Sequence, residues 1–316
     1  MNRNQLPRFR IPTGVWPYVA ALILIAFGTA ISRGFGTPDH LLLILNLAAF
    51  LGLIAAGQGL AILTGGIDLS VSSVVTLAGV VSATLMAGSN SHIALGIIVS
   101  LALGVVAGLI NGLGIAFLKI HPLVMTLGMT SIVQGAALLY TNGGPKGSSA
   151  PALSVLATGR LFGVIPYVLL VWAVVAAVMI LVLHRSVWGR WLYATGNSPT
   201  ASLYSGIRTS GVLMSVYLIS GTLAAMAGVL LTGYTRTSYL NIGDSYQLTS
   251  IAAVVIGGSS ILGGSGSYVG TIGGCIIMIL IQSILPIFSI PEAGRRIISG
   301  ALILGLLLIY GRERRR

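Results

Sequence analysis

The chain has 316 residues, of which 55% are hydrophobic and 7% charged. A soluble domain carries about 25% charged residues, so a water-facing surface of ordinary composition is excluded and the chain reads as an integral membrane protein. The net charge of +12 comes from basic residues that stand singly or at the two ends rather than along a stripe, a pattern that suits anionic lipid and cytoplasmic flanks and argues against nucleic acid.

In chain order, the basic start "MNRNQLPRFR" leads into an apolar run with no clear A-x-A site after it, which predicts an uncleaved first helix rather than a signal peptide. Apolar runs of spanning length predict helices over 16–32, 40–63, 71–87, 93–118, 123–140, 165–184, 211–233, 248–262, 268–288 and 296–310. The fold expected is all-α: one polytopic bundle of about ten transmembrane helices occupying 1–316. The eighth is short and glycine-interrupted, and is expected to be broken or partly re-entrant. The runs "GGIDLSVSS" and "GGSSILGGSGS" both stand between an inward-running and an outward-running helix, a hint of internal repetition.

Orientation follows from the basic residues. With the N-terminus inside, Arg3, Arg8, Arg10, Lys119, Arg185, Arg190, Arg208 and the C-terminal arginines share one side. Fewer, including Arg33, Lys146, Arg160 and Arg236, fall on the other. Both termini are expected in the cytoplasm. The Gly/Pro/Ser-rich stretch 141–163 is then an external loop, and 185–210 a cytoplasmic one with a possible short helix from Pro199 to Ile207.

Asp68 lies among apolar residues, between Gly65–Gly66 and the start of the third helix. Glycine just past a helix end closes its last carbonyls, and Asp68 or Ser70 can then accept the free amides of the next helix, where a negative charge also meets the helix dipole. An acid inside a membrane otherwise marks a transport path. The predicted helices hold no second acid to pair with it, which disfavours an ion-coupled carrier. Asn46, Gln58, Asn111, Thr126 and Gln134 are amides and hydroxyls within apolar helices. Each suits either a path for a neutral hydroxylated molecule or an interhelical hydrogen bond.

Cys275 is the single cysteine, and His40, His92, His121 and His184 stand apart, so no zinc set is present. No nucleophile–base arrangement lies within the helices, which disfavours a membrane-embedded enzyme. "GGPKGSSA" and "GGSSILGGSGS" both lack the G-K-[ST] of a P-loop, so no nucleotide site is expected on this chain.

Four blocks carry a resemblance to a known family: "GQGLAILTGGIDLSVSS", "NGLGIAFLKIHPLVMTLGM", "GRWLYATGNSPTASLYSGI" and "IAAVVIGGSSILGGSGSYVGTIGG". The chain resembles the permease subunits of bacterial ATP-binding-cassette importers for ribose, xylose, galactose and related sugars. The resemblance implies an inner-membrane translocation subunit, itself no enzyme, for a pentose or hexose. It also implies a second permease, identical or homologous, an external sugar-binding protein, and cytoplasmic ATPase chains that hold the ATP and magnesium. Under it the 185–210 loop docks on the ATPase through Gly189, Arg190, Tyr193, Gly196, Asn197, Ala201, Ser205, Gly206 and Ile207. Gly65, Gly66, Asp68 and Ser70 become a structural or translocation motif. An ion-coupled sugar carrier is the alternative.

Overall fold

A computed structural model describes residues 15–291, 293–295, 297, 298, 300, 301 and 305. The helices in order are α1 (Trp16–Ile31), α2 (Pro38–Leu63), α3 (Val71–Met86), α4 (Ile93–Ala116), α5 (Pro122–Thr141) and α6 (Pro151–Thr158). After a two-residue hairpin, β1 (Arg160–Leu161) with β2 (Ile165–Pro166), come α7 (Tyr167–Arg185), α8 (Val187–Asn197), α9 (Pro199–Tyr204), α10 (Thr209–Thr235), α11 (Asp244–Ile256) and α12 (Tyr268–Ile284). Among the described residues, six helical spans are long and apolar enough to cross a membrane, and α1 and α3 are shorter apolar helices. The helix predicted over 296–310 and both basic ends lie largely or wholly outside the described residues.

The bundle is built around α2 and α10. The apolar residues of α2 are buried along most of its length, and α10 packs on α2, α3 and α4. The periphery is apolar too: Leu22, Ile23 and Phe27 of α1, Leu95 and Ile98 of α4, and Val124, Leu127 and Leu139 of α5 are all exposed. Leucine gains nothing by leaving lipid for protein, so close backbone approach has to supply the packing energy. The α4–α10 seam does this with glycine. An added Cβ at Gly104 would strike the Gly221 carbonyl, and one at Gly108 would strike the Tyr217 carbonyl.

Two helices start inside the bundle. After α2, Gly65 takes φ +82° and the chain folds back rather than leaving the bundle. It places Asp68 against Ser220, near the middle of α10, so α3 begins at depth. From the opposite end, residues 236–243 descend until the Gly243 amide donates to Thr76 Oγ1 of α3 at 3.2 Å. There α11 starts, and it runs back toward the Gly257–Gly264 turn. Thirteen residues give α11 a length of about 20 Å, short of the ~30 Å hydrocarbon layer. The irregular backbone that covers the remainder is tied to the neighbouring elements: Gln134 Nε2 donates to the Leu240 carbonyl and Gln247 Nε2 to the Leu69 carbonyl. The helix of the eighth apolar run starts four residues earlier and ends six residues earlier than predicted, stopping before Gly257 and Gly258.

Stretch 141–163 is more ordered than its composition suggests. It holds α6 and the hairpin, and Leu153 and Ala157, one turn apart on α6, are buried against Gly233 of α10. The glycines and prolines that read as a loop flank a helix only eight residues long.

Candidate functional site

The site is a buried polar cluster with a helical pair below it. Asp68 is 1% exposed. Its Oδ1 accepts from the Ser70 amide at 3.0 Å and from Ser70 Oγ at 2.6 Å, while Oδ2 accepts from Ser220 Oγ at 2.7 Å. Ser70 Oγ in turn accepts from Asn111 Nδ2 of α4 at 2.8 Å. One carboxylate therefore ties the α2–α3 turn to α10 directly and to α4 through one hydroxyl. Three donors on a buried charge, one of them a backbone amide, offset its desolvation. The local cap expected for Asp68 is present only in part. It satisfies the amide of Ser70, the N-cap residue, and no side chain caps α3 itself. The bond to Ser220, 152 positions away, has no counterpart in the sequence-based expectation.

The other candidate polar residues divide in two. Thr126 accepts from the Leu69 amide and donates toward the Ile67 and Pro122 carbonyls, Gln134 holds Leu240, and Asn111 holds Ser70. These three are ties between elements. Asn46 Oδ1 and both amide atoms of Gln58 are buried with no hydrogen-bond partner in the chain. Asn111, although tied to Ser70 through Nδ2, likewise keeps a buried Oδ1 without a partner in the chain.

The 185–210 segment forms two helices where a loop with one short helix was predicted. Ser186 caps α8 by accepting from the Gly189 amide, and Ser198 caps α9 by accepting from the Ala201 amide. The expected helix is present as Pro199–Tyr204. It stops before Ile207 because Gly206 turns the chain at φ +81°. α8 escaped detection because its buried residues, Gly189, Leu192 and Thr195, are few and partly polar. The residues assigned to this segment separate into an anchored set and an exposed set. Gly189 lies on the Val182 and Leu183 carbonyls, and Tyr193 Oη donates to the Gly266 carbonyl at 2.9 Å. Gly196 lies against the Leu63 carbonyl and Asn197 against Gly264. Burial pushes the Tyr193 phenol above its ordinary value. Arg190, Ala201, Ser205 and Gly206 are exposed, as is neighbouring Tyr204, while Ile207 is half-buried. The two glycine-rich turns meet beneath the anchored set, where the Gly264 amide donates to the Leu63 carbonyl at 2.9 Å.

Ser220, Tyr217 and Thr195 were not singled out from the sequence. Ser220 sits in "LISGTLAAMAG", where it reads as one more small packing residue. Only the distant partner distinguishes it.

A predominantly helical bundle with six apolar spans of membrane length among the described residues and buried polar ties between them defines a polytopic membrane protein. The chain belongs to the family described as the permease component of branched-chain amino acid transport systems, whose model matches residues 40–307. It is similar to the ribose import permease protein of Escherichia coli K12, at 31% identity over 93% of this chain and 92% of that protein. It is similar to the ribose import permease protein of Haemophilus influenzae at 33% identity, over 98% and 97% of the two chains. Against the fructose import permease protein of Rhizobium meliloti the identity is 35%, over 84% of this chain and 76% of that one. No solved structure matches the chain. The family expected from the four sequence blocks is thus the family found.

Proposed function

We propose that this chain is the membrane-spanning permease subunit of an ATP-binding-cassette importer that carries a pentose or hexose across the bacterial inner membrane. The observation that carries this reading is the near full-length likeness to import permeases whose names specify ribose. The likeness to a fructose permease supports the same substrate class.

The chain is a translocation component, and its sequence has no P-loop to hydrolyse ATP. The motor is therefore a separate pair of ATPase chains, which dock on α8 and α9. Support comes from the exposed Arg190, Leu203 and Tyr204, set on helices whose other faces are seated on the bundle. That end is the cytoplasmic one, since Lys119, Arg185, Arg190 and Arg208 gather there. An external binding protein delivers the sugar, and a second permease, identical or homologous, completes the channel. An ion-coupled carrier is disfavoured because the partners of Asp68 are hydroxyls and an amide, with no second acid among them. In cells lacking this chain, ATP-dependent uptake of one monosaccharide should fall to background and return on complementation. Unchanged uptake of every pentose and hexose would overturn the proposal.

A further inference from the structure

Between the Asp68 cluster and α8 lies a cleft of about 320 Å³, walled by the ends of α2, α4, α5, α8 and α10. That volume is at the lower end of the ~300–1,000 Å³ range of small-molecule sites. Two hydroxyls in its lining, Tyr217 Oη of α10 and Thr195 Oγ1 of α8, are buried and have no hydrogen-bond partner in the chain. Tyr217 is 0% and Thr195 1% exposed. A buried hydroxyl without a partner is unfavourable, so two facing one cleft point to a hydrogen-bonding occupant. Tyr217 Oη lies directly over Gly66, where any Cβ would collide with it. This places the cleft immediately below the turn that holds Asp68.

We propose that this cleft is the inner release site of the permease, in which Tyr217 and Thr195 hydrogen-bond the hydroxyls of the departing monosaccharide. The inference rests on the function proposed above. Hydroxyls both donate and accept, which matches a polyol better than an ion. The Asp68 carboxylate behind Tyr217 disfavours an anion at depth, and Lys119 at the rim disfavours a cation. His121, also at the rim, accepts from the Leu123 amide through Nδ1, which leaves Nε2–H as a further donor. Thr195 belongs to α8, so a shift of the docked helical pair moves one of the two hydroxyls relative to the other. A motor can bias release only through such a difference in contacts between states.

The test uses the complete importer, permease with ATPase and binding protein, in liposomes. Tyr217→Phe and Thr195→Val remove one hydroxyl each while keeping shape. Neither breaks a hydrogen bond within the chain, so melting temperature and ATPase association should be unchanged. Sugar transport should fall about three- to tenfold for each and further for the pair. Independently, in a Cys275→Ala background, Leu213→Cys on the cleft wall should react with a membrane-impermeant thiol reagent from the α8 side. The transported sugar, D-ribose or D-fructose, should slow that reaction at least about threefold. Wild-type transport in both hydroxyl variants would overturn the site, and so would labelling that is absent or indifferent to the transported sugar. Should the unaltered complex carry no monosaccharide at all, the proposed function itself falls, and the site with it.

Discussion

Replacing Asp68 separates a structural carboxylate from one whose charge takes part in transport. In Asp68→Asn the side-chain oxygen still accepts from the Ser70 amide and Ser70 Oγ, now at 3.0 and 2.6 Å. The new Nδ2 faces Ser220 Oγ, which turns to accept instead of donating. Only charge assistance is lost, about 1 kcal/mol in all. Asp68→Leu leaves a buried amide and two buried hydroxyl donors without their acceptor, although Ser70 Oγ still accepts from Asn111. At about 1–3 kcal/mol for each unsatisfied group, the cost is roughly 3–6 kcal/mol, tempered by the weaker hydrogen bonds typical of membrane interiors. The Leu variant should therefore lose most of its folded complex, with the Asn variant close to wild type in melting temperature. Ser220→Ala, which removes one donor, should fall between them. The assay is thermal melting of the purified complex, followed by transport per folded complex. Normal assembly of both Asp68 variants with equal and complete loss of transport would refute the structural account. The charge would then be required in the cycle itself.

Three further outcomes follow from particular contacts. Gly104→Leu drives a side chain into the Gly221 carbonyl and should part α4 from α10. The expected loss is at least ~1–3 kcal/mol, seen as a lower melting temperature in detergent, and an unchanged value would show that glycine proximity does not hold this seam. Gly196→Ala places a Cβ on the Leu63 carbonyl and 2.7 Å from the Gly264 amide nitrogen. Both are backbone, so α8 has to move, and ATPase co-purification should drop while bundle stability changes little; full association would mean that α8 is not seated through Gly196. The Asp39–Arg160 pair, at 2.8 Å with Asp39 84% exposed, should contribute only ~0–1 kcal/mol, vanishing in high salt. A double-mutant cycle that returns a large, salt-independent coupling would contradict the reading of this end as solvent-facing.

The spans were legible because burial in lipid demands apolar side chains whatever a helix touches. That same insensitivity hid the depth at which α3 and α11 begin. Hydropathy reports what a segment is made of, and Ser72 or Gly243 has the same composition at the rim and at the centre. α6 was missed because Leu153 and Ala157 give a single turn of periodicity between proline and glycine. The helical character of 187–197 was hidden because its exposed face carries Arg190 and its buried face carries Gly189 and Thr195. Asp68 was conspicuous from composition alone, and its tie to Ser70 could be read locally. Its tie to Ser220 could not, since a lone serine in a glycine- and alanine-rich helix carries no mark of a distant partner. Asn111, Thr126 and Gln134 illustrate the same limit: an amide or hydroxyl in an apolar run announces a hydrogen bond without saying with whom. Here all three bond across to other elements of the chain.

The central claim, that this chain is the channel of an ATP-driven sugar importer, is tested most directly by reconstitution with and without the ATPase subunits. Liposomes carrying the permease, its ATPase, internal ATP and external binding protein should accumulate one radiolabelled monosaccharide against its gradient. Omitting the ATPase should abolish that accumulation, with or without a proton or sodium gradient. Accumulation driven by an ion gradient in the absence of the ATPase would contradict the account.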